Sequence, residues 1–131
     1  MRYFMIMVLL AALTGCATAH VQVQRPKEKK VLPDGREVVA ELKGDNTCYY
    51  LFGFIPLWCG NSNRPNTGDY DIFRDRLSEI RNDAMLKDFA AKLGADTVIN
   101  IKHERHSAGA YSLWIVCTEA ITSTGTAVAK P

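Results

Sequence analysis

The sequence has no excess of charge of one sign: sixteen Lys and Arg stand against fourteen Asp and Glu. Without a strong field, little draws the chain to nucleic acid or to any other highly charged partner. Long apolar runs are equally scarce. The run from Phe4 to Leu13 falls far short of the about 20 residues that cross roughly 30 Å of hydrocarbon, so a permanent membrane-spanning helix is not expected. No internal repeat or low-complexity tract occurs, which argues against a solenoid or array. Catalytic signatures are missing too. Ser78 and Ser107 have no nucleophile motif around them, no carboxylate pair stands in a fixed setting, and no glycine loop is built to cradle a phosphate. A non-enzymatic protein is therefore expected.

What is present begins at the N-terminus. Arg2 precedes the short apolar run, which ends in Leu13-Thr14-Gly15-Cys16. One positive charge, a short apolar core and small residues before a cysteine have the make-up of a secretory signal, and the tetrapeptide resembles the lipobox of bacterial lipoproteins. The resemblance implies that residues 1–15 are a signal peptide removed before Cys16. It further implies that the Cys16 sulfur carries a diacylglycerol through a thioether, and that the new amino group takes a further acyl chain such as palmitate. One acyl chain holds a protein only marginally, whereas two or more anchor it stably. In such lipoproteins an aspartate after the cysteine favours the inner membrane. Ala17 stands there instead, so the periplasmic face of the outer membrane is the expected location. No cofactor beyond the covalent lipid is expected. The expected partners are the membrane, through that lipid, and another protein of the cell envelope.

Cys48, Cys59 and Cys117 remain. The periplasm is oxidising and permits a disulfide, and three thiols allow three single pairings with one sulfur left over. A straight strand over residues 48–54 would carry the chain about 20 Å from Cys48. That distance tilts the expectation towards a bond to Cys117.

Residues 16–30, with Gln22, Gln24, Arg25, Pro26, Lys27, Glu28, Lys29 and Lys30, have little to bury and read as the lipidated cysteine followed by a flexible tether. Residues 31–131 then form one domain. Val31-Leu32-Pro33-Asp34-Gly35-Arg36 has the composition of a hairpin turn. A strand follows over Glu37 to Leu42, Gly44-Asp45-Asn46 is a second turn signal, and the uncharged, aromatic Thr47 to Phe54 is a buried strand. Ile55 to Asp69 reads as a long loop rich in Pro, Gly and Asn. Phe54, Leu57 and Trp58 lie at its apolar root, which makes it the candidate partner-binding surface.

Leu77, Ile80, Ala84, Met85, Phe89 and Leu93 recur at helical spacing. Asn82 and Asp83 offer a second N-cap at which the helix restarts or kinks, and Gly94 is the stop. Ala95 to Ile101 is a strand, Ser107-Ala108-Gly109 a turn, and Tyr111 to Ala120 a strand centred on Trp114, Ile115 and Val116. The order strands, helix, strands predicts a small α+β fold in which one main helix packs on a mostly antiparallel sheet.

His103 and His106 form an His-x-x-His pair, and imidazole with thiolate suits zinc or copper. On an extended strand, residues three apart point to opposite faces, so the pair meets at one metal only if a turn intervenes. A periplasmic metal-binding or metal-sensing domain is the alternative function.

Leu93-Gly94-Ala95-Asp96, Val98-Ile99-Asn100-Ile101 and Gly125-Thr126-Ala127-Val128 resemble the YbjQ-like family of small heavy-metal-binding domains. In that pattern a helix ends in a glycine turn, enters an apolar strand and is followed by a hairpin and a closing Gly-Thr-Ala-Val. In plan the chain is also similar to the Rcs stress-sensing outer-membrane lipoproteins, with Cys117 in a late strand, although it lacks two clear cysteine pairs. Both resemblances imply a small domain of α+β fold, and the second implies an envelope lipoprotein. Neither transfers a ligand set.

Overall fold

Between Glu37 and Leu51 the residues alternate: Ala40, Leu42, Gly44, Asn46 and Cys48 are buried, whereas Glu41, Lys43, Asp45 and Thr47 between them are not. This period of two makes one strand, β2 (Glu37–Leu51), where the turn-like Gly44-Asp45-Asn46 predicted a break. The computed structural model describes residues 19–75, 77–111 and 116–131, together with Ile6. The rest of the signal segment, Cys16, Trp114 and Ile115 lie outside the described residues.

Around β2 stand β1 (Ala19–Gln24), β3 (Ile55–Gly60), β4 (Tyr70–Ile72), α1 (Glu79–Lys92), β5 (Thr97–Tyr111) and β6 (Val116–Ala129). The sheet runs β4-β3-β2-β6-β5, and β1 also pairs with β2. Every one of these pairings is antiparallel. Within residues 19–131 the expected α+β architecture is thus present as one helix on a sheet that dominates the fold. Strands β1 and β3 lie end to end along one edge of β2, opposite residues 41–46 and 48–51 respectively, and β6 occupies the other edge.

The tether expectation fails for its central part. Ala19 and Val21 are buried in the core and hold Ala19–Gln24 in the sheet as β1. Lys27 to Lys30 instead belong to the β1–β2 connection. That connection closes with the expected turn, in which the Leu32 N–H donates to the Arg36 carbonyl at 2.8 Å and the Gly35 N–H to the Leu32 carbonyl at 2.9 Å. Gly35 has φ +85°, a conformation that glycine adopts without cost.

Helix α1 is continuous. Ser78 caps it, its Oγ accepting the Arg81 N–H at 3.1 Å, so the chain does not restart at Asn82. The buried stripe is Asn82, Met85, Leu86 and Ala90, with Phe89 and Leu93 at its margin. Ile80, expected on this face, is 83% exposed, because the stripe is centred on Leu86, well around the helix from it. Gly94, at φ +85°, ends the helix as expected.

Two glycines set how closely the layers meet. A Cβ on Gly44 would lie 2.8 Å from Met85 Cε and 3.1 Å from Leu86 Cδ2, which is why a turn-forming residue sits in mid-strand: the helix rests on it. A Cβ on Gly125 would lie 2.5 Å from Val98 Cγ1. Opposite it β5 bulges between Ile99 and Lys102, with Asn100 at φ 54°. The predicted turn at Ser107-Ala108-Gly109 falls inside β5, whose pairing with β6 continues to Tyr111 and Val116. Gly125→Ala is expected to destabilise the domain by about 2 kcal/mol through overpacking, measured by urea unfolding. An unchanged midpoint would show that Val98 gives way freely.

Candidate functional site

The β2–β3 hairpin places Cys48 directly opposite Cys59, and the two form a disulfide. Cys117 is free and half-buried. The leaning towards Cys117 is therefore corrected. The chain reverses tightly after Leu51, with Phe52 at φ 54° and Gly53 at φ 80°, and β3 returns beside β2 within the few residues available.

The sulfurs of Cys48 and Cys59 and a carboxylate oxygen of Asp75 lie within 4.8 Å of one another. Both thiols are spent in the disulfide, and Asp75 Oδ1 accepts the Tyr50 hydroxyl at 2.8 Å and the Leu77 N–H at 3.0 Å. Burial, then the hydrogen bond and charge of Asp75, raise the Tyr50 phenol well above its ordinary pKa. This group fastens the segment before α1 onto β2.

His103 and His106 do not converge, because no turn comes between them. They stand opposite Ser123 and Ala120 on a continuous strand. His103 is half-buried on the helix side, whereas His106 is exposed, its Nε2 3.7 Å from Glu104. The two imidazoles are therefore not brought together as the alternative metal pair would need.

His103 belongs to a different group, which the sequence reading missed. Its Nδ1 is 2.7 Å from Ser123 Oγ, and Asn82 Nδ2 donates to that same oxygen and to the Ile121 carbonyl, both at 3.0 Å. Asn82 and Ser123 are each 0% exposed. A serine beside an imidazole has the parts of a nucleophile and base, yet this oxygen has no path to a substrate. The arrangement joins helix to sheet. No local motif marks it, since its members are 20 and 41 residues apart.

The expected partner loop also changes character. Ile55–Gly60 is strand β3, where Leu57 and Trp58 are half-buried and Trp58 pairs with Tyr49 on one side and Ile72 on the other. What remains, residues 61–69, is tied to the domain. The Asn66 N–H donates to the Ala19 carbonyl at 3.0 Å, its Oδ1 accepts the Val21 N–H at 2.8 Å, and its Nδ2 donates to the Val21 carbonyl at 3.0 Å. Asn66 thus serves β1 as a substitute strand neighbour, and deleting residues 60–67 would strip the edge of β1.

Among the described residues a group of exposed apolar side chains lies at the end of the hairpin. Phe52 is 59%, Phe54 73% and Phe73 71% exposed, with Ile55 and Ile72 exposed on the strands behind them. The Phe73 N–H donates to the Leu57 carbonyl at 3.1 Å, which sets all three phenylalanines at one end of the β2–β3–β4 sheet. Of Phe54, Leu57 and Trp58, Phe54 alone is fully presented. The face of the sheet away from α1 is polar instead, with a shallow cleft of about 470 Å³ between β1, β2, β5 and β6, lined by Gln22, Glu41, Lys43, Lys102 and Thr124 among others.

Among the described residues no helix is long and apolar enough to cross a membrane. Comparison with known families, characterised proteins and solved structures finds no match to this chain.

Two outcomes follow from these contacts. Peptide mapping of the unreduced chain should recover Cys48 joined to Cys59 with Cys117 alkylated, and replacing both bonded cysteines with alanine should lower stability by about 3 kcal/mol, the loop-closure value for so short a ring. Recovery of Cys117 in the bond would contradict the pairing. Asn82→Ala should cost about 2 kcal/mol in urea unfolding, because it leaves buried acceptors unmet, whereas Ile80→Ala should stay within about 0.5 kcal/mol of the parent. Equal effects would refute the assignment of Asn82 to the buried stripe.

Proposed function

We propose that this chain is a non-enzymatic, lipid-anchored envelope protein, matured at Cys16 and facing the periplasm at the outer membrane, whose β-rich domain binds another component of the envelope. The observation that carries the reading is one of spacing. Strand β1 begins at Ala19, three residues after Cys16, so a lipid on that sulfur leaves the folded domain no slack and keeps it against the bilayer.

The exposed phenylalanine end supplies the contact surface. A soluble protein rarely leaves neighbouring large apolar side chains open to water unless something covers them. The burial of Ser123 argues against hydrolysis by its pairing with His103. The separation of His103 from His106 along one strand argues against a metal site built on both. The resemblance to YbjQ-like domains bears on the fold of the C-terminal half and assigns no ligand.

Cys16→Ser tests the anchor, because it removes the sulfur that forms the thioether. The wild type should incorporate labelled palmitate and stay with membranes in high salt, since acyl burial at about 0.8 kcal/mol per CH₂ is not screened. The variant should take up no label and be found either as uncleaved precursor or as soluble periplasmic protein. Equal labelling of the two would refute lipidation at Cys16.

A further inference from the structure

We infer that the envelope component met by the aromatic end is the lipid surface itself: Phe52, Phe54 and Phe73 enter the boundary between headgroups and acyl chains of the bilayer that holds the anchor. This rests on the reading of Cys16 as the lipidated residue. Covalent geometry limits three residues to about 10 Å, so Cys16 lies within that distance of Ala19.

Ala19 pairs with Asn46, and because β1 is antiparallel to β2, the chain enters β1 from the Leu51 side. Leu51 is five positions beyond Asn46 on β2, or about 17 Å along the strand. With the strands upright on the membrane, Leu51 lies about 7 Å or more past the anchoring cysteine, and the phenylalanine tip follows it. That is the depth at which interfacial apolar groups settle, about 5–10 Å. The lysine-rich connection between Gln24 and Glu37 lies at the opposite end of the sheet, away from the lipid.

A second observation points the same way. Phe52 has φ 54° and Phe73 has φ 56°, the left-handed region that bulky residues seldom occupy. Glycine or asparagine would fill either position without strain, and with less apolar surface in water. Backbone strain of this kind clusters where a surface is used. The Cys48–Cys59 bond lies just behind the tip and keeps the hairpin together while it presents these rings. Next to Phe73, exposed Arg74 suits the headgroup layer, where a guanidinium meets phosphate groups.

The experiment uses the full lipidated chain carrying Phe54→Trp, a substitution at a 73% exposed position that disturbs no packing. It is reconstituted into pure-lipid vesicles of phosphatidylethanolamine with a minority of phosphatidylglycerol, the acyl chains either brominated or not. The wild type, with its native tryptophans, is run in parallel and its signal subtracted. The added tryptophan should lose about half its emission or more to brominated chains, as a ring seated at that depth would. No quenching in chains that do carry palmitate would overturn the insertion and leave the anchor reading intact. Absence of palmitate from the wild type would overturn the anchor, and with it this inference. Absence of quenching together with Phe54-dependent crosslinking to a protein in whole envelopes would assign the end to a protein partner instead.

Discussion

Glu37 lies opposite Ala129 and Leu51 opposite Val116, so β2 and β6 are joined from end to end, and each other element takes its place from that pair. The free edge of β2 receives β1 and β3 in tandem, and the free edge of β6 receives β5. The helix rests on the same two strands, with Gly44 beneath Met85 and Leu86, and Asn82 bonded to Ile121 and Ser123. Because β2 is unbroken over fifteen residues, it holds the lysine-rich turn and the phenylalanine tip about 46 Å apart. A break at Gly44, as local turn chemistry suggests, would uncouple those ends. The helix keeps the strand straight there by occupying the space that a side chain on residue 44 would take.

Near-neutral charge has a structural counterpart in the face opposite the helix. Glu41, Lys43 and Lys102 alternate with threonines and glutamines across β1, β2, β6 and β5, and Thr122 donates to Asp45 at 2.7 Å. Signs are mixed at short range, so no field builds up towards an anionic or cationic partner. Among the described residues the exposed phenylalanines gather at one end of the sheet, whereas Val31 and Ile80 stand exposed singly elsewhere.

Elements with strong local signals were legible in the sequence. These include the Pro33-Asp34-Gly35 turn, the apolar spacing of the helix, its Gly94 stop, and the α+β order of elements. Three features were hidden because non-local contacts decide them. Gly44-Asp45-Asn46 reads as a turn until a helix is placed above it. Ala19 and Val21 look like sparse apolar residues in a tether until β2 and Asn66 flank them. The pairing of Cys48 with Cys59 depends on Phe52 accepting a conformation that its side chain disfavours, which composition does not announce. The candidate site divided in the same way. Phe54 was named at the apolar root of the partner loop, at the end of a strand read as buried, whereas Phe52 and Phe73 were passed over because their exposure depends on where β2 and β4 end. Likewise, the two histidines near one another in sequence were separated by the pleat, and His103 found its partner on the neighbouring strand.

An apolar tip is hard to maintain on a small domain, because the hydrophobic effect that builds the core also draws exposed phenylalanines inward. Here the end of the sheet is held against that collapse at two points. The disulfide ties β2 to β3 just behind the tip, and Tyr50 with Asp75 ties β2 to the segment leading from β4 into α1. Beneath them Cys48, Tyr50, Cys59, Leu77 and Ile121 form their own buried cluster, separate from the core under the helix. That second cluster is already filled, so Phe52, Phe54 and Phe73 have no vacant interior to enter. Their exposure follows from packing behind them that is complete without them, and this leaves the rings available to an apolar phase outside the protein.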